Sequence, residues 1–298
     1  MGSVSADALK YWSVLNDHGT ELLKSVEDDW MTLLADKTKK EPDYLAFLSE
    51  NSAFFFSHAV QFQYFAISEL RLGTDYRIDF VLPVENFSYG LTYCLVEIES
   101  PHTRPFTKKR VASARLNAAM QQIRDWRNWI KANRAPAKRI FPSSAWTMDS
   151  LPVFTYRIVI GRRDDEDRHH DKVMECAADI RAEIRSFDWL TDLLRFKIKH
   201  GEFRTSIMGG LSPQIAGMND AVKNAIMNPF ACSLTEGEWK EIVRERPRPI
   251  CHFISSVGAG LANALRSNAR FPQFEKLWVS LPKRIRNRIS RDFDPKRG

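Results

Sequence analysis

Two acids stand where acids are costly. Asp79 lies in the β-rich run Tyr76-Arg-Ile-Asp-Phe-Val-Leu, and Glu97 lies in Leu91-Thr-Tyr-Cys-Leu-Val-Glu-Ile-Glu, flanked by Val96 and Ile98. A carboxylate inside a sheet raises the free energy unless it is paired, hydrogen-bonded or bound to a metal. If the two runs are neighbouring strands, both acids can converge on one hard divalent cation. The backbone carbonyl of Ile98 and waters would then complete an octahedron. Mg²⁺ held in this way would polarise a phosphodiester and lower the pKa of its bound water. The plainer alternative is simple alternation, with Glu97 and Glu99 turned to solvent on one face. The residues alone leave both readings open.

Other residues join this constellation. Gln122, Trp126 and Trp129 share a helical stripe with positions 115 and 119. Gln122 there can fill a polar gap beside core tryptophans. Arg104, Lys108, Lys109 and Arg110 follow the second acidic run and are candidates for guiding a nucleic-acid backbone. Lys108 or Lys109, read as the start of a helix, is also a candidate cation for the site, although helix starts favour acids. Glu69, ten residues before Asp79 and read as helical, is either a further ligand or a surface glutamate. His169-His170 lies in a charged run with no partner at ligand spacing. No Gly-x-Ser-x-Gly elbow occurs, and Gly258-Ala-Gly260 is not followed by the lysine of a phosphate-binding loop.

The elements that must position these groups follow from periodicity. Leu9, Trp12 and Leu15, then Leu22, Leu23, Val26, Trp30 and Leu33, recur at helical spacing. Residues 37–42 read as a polar break, and 44–56 as a short helix entering an aromatic run. Residues 76–82 and 91–99 predict two antiparallel strands around a turn at 86–90, with Pro101 closing the second. A long helix is expected from about Thr107 to Ala132, with Ala112, Leu116, Ala119, Ile123, Trp126 and Ile130 as its apolar face. A loop marked by Pro136 and Pro142 precedes a strand from Val153, closed by Gly161. A helix over about 171–185 and another from Phe187 complete the order helix, strand, strand, helix, strand, helix. That order is an α/β layered domain with helices on a mixed sheet.

Bulk properties narrow the classes. The chain has 298 residues, 44% hydrophobic and 27% charged, which suits a soluble globular protein with a sizeable core. Cys94, Cys176, Cys232 and Cys251 are far apart with no Cys-x-x-Cys pair, which disfavours a disulfide framework or a zinc site and suits a reducing cytoplasm. No segment reads as a signal peptide, a membrane span or a myristoylation signal, so a cytoplasmic protein without a membrane partner is expected. The net charge of +7 resides in the last third. Residues 201–298 hold 16 basic and 9 acidic residues, seven of the basic ones between Lys283 and Arg297. Such a tail either meets phosphate or is simply solvated.

Leu72-Gly-Thr-Asp-Tyr-Arg-Ile-Asp-Phe-Val-Leu followed by Leu95-Val-Glu-Ile-Glu-Ser-Pro resembles the nuclease motif of the Shedu family of bacterial anti-phage defence proteins. Further pieces stand in the family's order. Leu45-Ala-Phe-Leu-Ser-Glu-Asn resembles its leading helix, and Ala118-Ala-Met-Gln-Gln-Ile-Arg-Asp-Trp its glutamine-bearing helix. Arg157-Ile-Val-Ile-Gly-Arg resembles its third strand and Arg185-Ser-Phe-Asp-Trp-Leu its closing segment, so the likeness spans about residues 44–196. The resemblance implies a PD-(D/E)xK, restriction-endonuclease-like core, a mixed sheet flanked by helices, with helical N- and C-terminal regions. Residues 1–58 would be the N-terminal region, 59–200 the nuclease domain and 201–298 a basic, mainly helical C-terminal region. It further implies an Mg²⁺- or Mn²⁺-dependent DNA endonuclease, homo-oligomeric and acting against phage, with Asp79 and Glu97 as metal-binding acids. In related exonuclease-like members a Gln-x-x-x-Tyr helix packs over the site, and Gln122-Ile-Arg-Asp-Trp126 is similar, so the resemblance implies that Gln122 reaches a phosphate or a metal-bound water. The chain departs from the family at Glu99, where a catalytic lysine is usual; a glutamate there could serve as a general base or hold a second metal through water, and some restriction endonucleases of this broad fold carry Glu-x-Glu. That departure leaves open a degenerate nuclease fold that binds DNA or regulates without cutting.

Overall fold

The computed structural model describes residues 23–56, 66–86, 90–143, 150–164, 169–200 and 233–245, with 283 and 287 as single positions. The helix expected around Leu9 to Leu15 lies outside the described residues, as does most of the basic tail.

A helix over residues 23–35 (α1) leads to α2 (Glu41–Glu50) and α3 (Ser52–Phe55). Strands β1 (Ile67–Leu72), β2 (Tyr76–Asn86) and β3 (Gly90–Ile98) form an antiparallel meander. Helices α4 (Ala114–Ala132) and α5 (Arg134–Ile140) then cross to β4 (Phe154–Val159), which pairs parallel with β3. Helix α6 (His170–Ile180) leads to β5 (Glu183–Arg185), parallel to β4, and α7 (Phe187–His200) follows. A last described helix, α8, spans Glu236–Glu245. The result is one five-stranded open sheet in sequential order between two helical layers.

Both faces are dry. Ile67, Leu70, Leu72, Val81, Tyr93 and Leu95 pack against Leu116, Ile123, Trp126 and Ile130 of α4. Phe80, Leu82, Cys94, Val96 and Ile98 face the opposite way, onto Trp30 of α1, Tyr44 and Leu48 of α2, and Phe187, Leu190 and Leu194 of α7. Trp30 is fully buried, and its indole N–H donates to the Thr191 hydroxyl at 2.9 Å, which ties α1 to α7. The segment before α8 continues this body: Leu234 N–H donates to the Ala66 carbonyl and Ser68 N–H to the Leu234 carbonyl, both at 2.8 Å, beside the free edge of β1. Trp239 of α8 is buried, and its indole N–H donates to the Ile140 carbonyl at 2.9 Å.

Several elements differ from the sequence expectation. β1 and β5 are strands that periodicity does not reveal. In β1, Ile67 and Leu70 face the same core because Glu69 adopts a left-handed φ of 54° and breaks the period of two. Glu69 is therefore in a strand, not a helix. β5 is only three residues long, and the helix expected to reach 185 stops at Ile180, where Arg181 turns left-handed at φ 49°. Helix α4 begins at Ala114, seven residues later than expected. Phe106 bridges Ala112, so residues 106–112 form a tight hairpin, and the Ser113 hydroxyl caps the helix by accepting from Leu116 N–H at 3.2 Å. Pro136 does not break structure; it sits in the first turn of α5, where its missing N–H has no helical partner to lose. Helix α2 starts at Glu41, inside the stretch read as a break, with Pro42 in its first turn.

Candidate acidic site at the end of strand β3

The β2–β3 ladder runs to Phe80 opposite Val96, so Asp79 and Glu97 come next on the two strands. Glu97 follows Tyr93 and Leu95 in alternation and faces α4. At Asp79 the alternation is broken. Ile78 and Val81 both join the α4-side core, while Phe80 and Leu82 join the other. Residues 69 and 79 sit between the pairs Ser68–Phe80 and Leu70–Ile78, so the irregularity of β1 and that of β2 coincide. This kink lets the Asp79 side chain turn along the strand end, where its Oδ2 accepts the Ile98 N–H at 2.8 Å. Glu99 lies just past the ladder, its N–H donating to the Val159 carbonyl at 2.9 Å.

All three acids are buried, with relative exposures of 6% for Asp79, 6% for Glu97 and 5% for Glu99. Burial holds the Asp79 carboxyl up to about 7; the Ile98 hydrogen bond opposes this, and nearby Glu41 reinforces it. Burial likewise raises Glu97 well above the usual carboxylate range, with the negative charges of Asp79, Glu99 and Glu41 adding to the effect. Glu99 is raised to about 7 by burial and then Glu41, against the pull of Arg115. Burial and the shared influence of Glu41 disfavour the charge of all three acids, and such a cluster calls for protons or for a cation.

Glu41 and Arg115 take part without having stood out in the sequence. Glu41 opens α2, and its charge acts on all three buried acids. The available signal was Pro42, which marks a helix start and so fixes Glu41 in the first turn. Arg115, in the first turn of α4, brings Nη1 to 3.8 Å from Glu99 Oε2. Gln122 lies two turns further along α4 and donates from Nε2 to Glu97 Oε2 at 3.0 Å. Helix α4 is held against the meander at the β1–β2 turn, where Gly73 has φ +63° and a Cβ would stand 3.2 Å from the Trp129 ring.

The remaining candidates lie apart from the acids. Arg104, Lys108, Lys109 and Arg110 are exposed on the irregular loop between Pro101 and Ser113, not on a helix. Arg110 pairs with Asp171. The cations acting on the three acids are Arg77 and Arg115 rather than Lys108 or Lys109. Glu69 is exposed and bonded to Arg77 at 2.8 Å, so it faces solvent and not the cluster.

The donor chemistry suits a hard cation. Asp79 and Glu97 are adjacent oxygen donors in a dry, anionic setting, and Mg²⁺ commonly takes one or two carboxylates and keeps waters elsewhere. Among the described residues no group of three or more His, Cys, Asp or Glu side chains is arranged to hold a metal ion. Among the same residues no helix is long and apolar enough to cross a membrane.

No curated protein and no solved structure matches the chain. A family model described as Shedu protein SduA, C-terminal, matches residues 38–191, which take in α2 through the first turns of α7 and every acid of the cluster. That match covers more than half of the 298 residues, and the chain belongs to the Shedu family.

Proposed function

We propose that this chain is a metal-dependent DNA endonuclease of the PD-(D/E)xK type, acting in defence against phage. The observation that carries the reading is the convergence of three buried carboxyls at the end of β3, each raised by burial and by its neighbours. Family membership and the meander–helix–parallel-strand order of the sheet support it.

In this reading Asp79 and Glu97, with the Ile98 carbonyl, would hold Mg²⁺ or Mn²⁺, which when bound would offset negative charge on the phosphodiester oxygens. Gln122 fixes the rotamer of Glu97 through its amide. The Ile98 N–H does the same for Asp79. Glu99, with a carboxyl near 7, changes protonation close to working pH. That suits a general base taking a proton from the attacking water. The exposed Arg104, Lys108, Lys109 and Arg110 guide the DNA backbone from the adjoining loop. The protein acts in the cytoplasm as a homo-oligomer.

A second reading keeps the fold without the chemistry, as a DNA-binding or regulatory subunit. It is favoured by Glu99, which adds negative charge at the site, and by the lack, among the described residues, of any group of three or more His, Cys, Asp or Glu side chains arranged to hold a metal ion. Incubation of the full chain with linear and circular DNA, in Mg²⁺, Mn²⁺ or EDTA, separates the two. Cutting that EDTA and Glu97→Ala abolish supports the nuclease. Binding without cutting in every metal supports the second reading, and no binding even at low salt refutes both.

A further inference from the structure

A phosphodiester approaching this site meets Asp79, Glu97, Glu99 and Glu41, so it needs a cation at the entrance. Two guanidinium groups act on the cluster. Arg77 is already bonded to Glu69 at 2.8 Å on the outer surface. Arg115 is different. Its Nη1 stands 3.8 Å from Glu99 Oε2, beyond hydrogen-bond length, and its side chain is 67% exposed against 7% for that of Glu99. The contact is a loose ion pair joining the buried acids to solvent. Arg115 also occupies the first turn of α4, where the helix dipole disfavours a cation and where α4 has no acidic residue to offset it. It lies seven positions before Gln122 on one helix stripe, so α4 presents a hydrogen-bonded amide to Glu97 and an exposed guanidinium to Glu99.

We propose that Arg115 is a phosphate-binding residue of this site. Its guanidinium pivots on Glu99 and takes the non-bridging oxygens of the phosphodiester presented to the acids. The planar fork suits two phosphate oxygens at once, and its charge offsets the repulsion from the carboxylates. The proposal rests on the nuclease reading for its chemistry, but the phosphate contact can be measured without cutting.

The test uses the full chain and three proteins: wild type, Arg115→Ala and Arg115→Lys. Binding of a defined DNA duplex is measured in EDTA across a salt series, and single-turnover cutting in Mn²⁺. Arg115→Ala is expected to reduce the salt slope by about one and to slow cutting by at least ~10-fold, with its melting temperature unchanged. Arg115→Lys recovers the slope but only part of the rate, because an ammonium cannot take both oxygens. An unchanged salt slope in Arg115→Ala overturns the proposal. If wild type cuts DNA in neither Mg²⁺ nor Mn²⁺ while the slope still falls by about one in Arg115→Ala, the phosphate contact stands and the nuclease reading fails.

Discussion

Replacing Asp79 with asparagine should make the metal-free protein more stable at pH 8. The folded state raises this carboxyl from 3.8 to about 7, chiefly by burial. The unfolded chain gives up the proton first, so stability falls as pH rises through that window and stays low above it. The rise corresponds to about 4 kcal/mol at pH 8. Asparagine carries no charge to bury and keeps an oxygen for the Ile98 N–H, though a neutral acceptor is weaker by about 1 kcal/mol. The net gain is about 3 kcal/mol, or roughly 6–12 °C in melting temperature. Thermal denaturation in EDTA at pH 8 and pH 5 measures it. At pH 5 the folded wild type holds its proton, and the gain should shrink to about 1 kcal/mol or less. Mg²⁺ at about 100 times its dissociation constant should return about 2.7 kcal/mol to the wild type and little to the variant. A variant that melts at or below the wild type at pH 8, or a gain equal at both pH values, refutes the account of Asp79 as a buried, destabilising charge.

Other perturbations test the supports of the site. Gly161→Ala forces a Cβ to 2.9 Å from Pro105 Cδ and the Thr103 carbonyl at φ +70°, where it should destabilise by at least ~1–3 kcal/mol in denaturant unfolding. Trp239→Ala should cost about 3–5 kcal/mol if α8 is part of the same cooperative body; a small separate transition with the main one unmoved would show otherwise. Gln122→Ala should slow cutting by ~10-fold or more while leaving DNA affinity unchanged, since its amide holds Glu97. Lys108→Ala with Lys109→Ala should weaken DNA binding and reduce the salt slope by up to about two, with the rate at saturating DNA unaltered; a lost rate would return one of these lysines to the acid cluster.

The sequence alone identified the acids and the two strands that carry them, because alternation and β-branched residues are local signals. The runs 76–82 and 91–99 could be read as neighbours from their spacing and turn, and the stripe through Gln122 from helical period. The family motifs likewise survive as short contiguous strings. Tertiary structure decided the rest. β1 hides because Glu69 breaks its alternation, and β5 because three residues make no pattern; each exists through its pairing partner. Glu41 reaches the cluster from a helix well before the strands, and Arg115, though on the stripe of Gln122, meets Glu99 only because α4 packs across the end of β3. The carboxyl shifts also belong to the fold, since an acid's desolvation depends on what the opposite layers place over it. Side-chain type and period travel with the chain; register, burial and the meeting of distant charges arise only when the layers close.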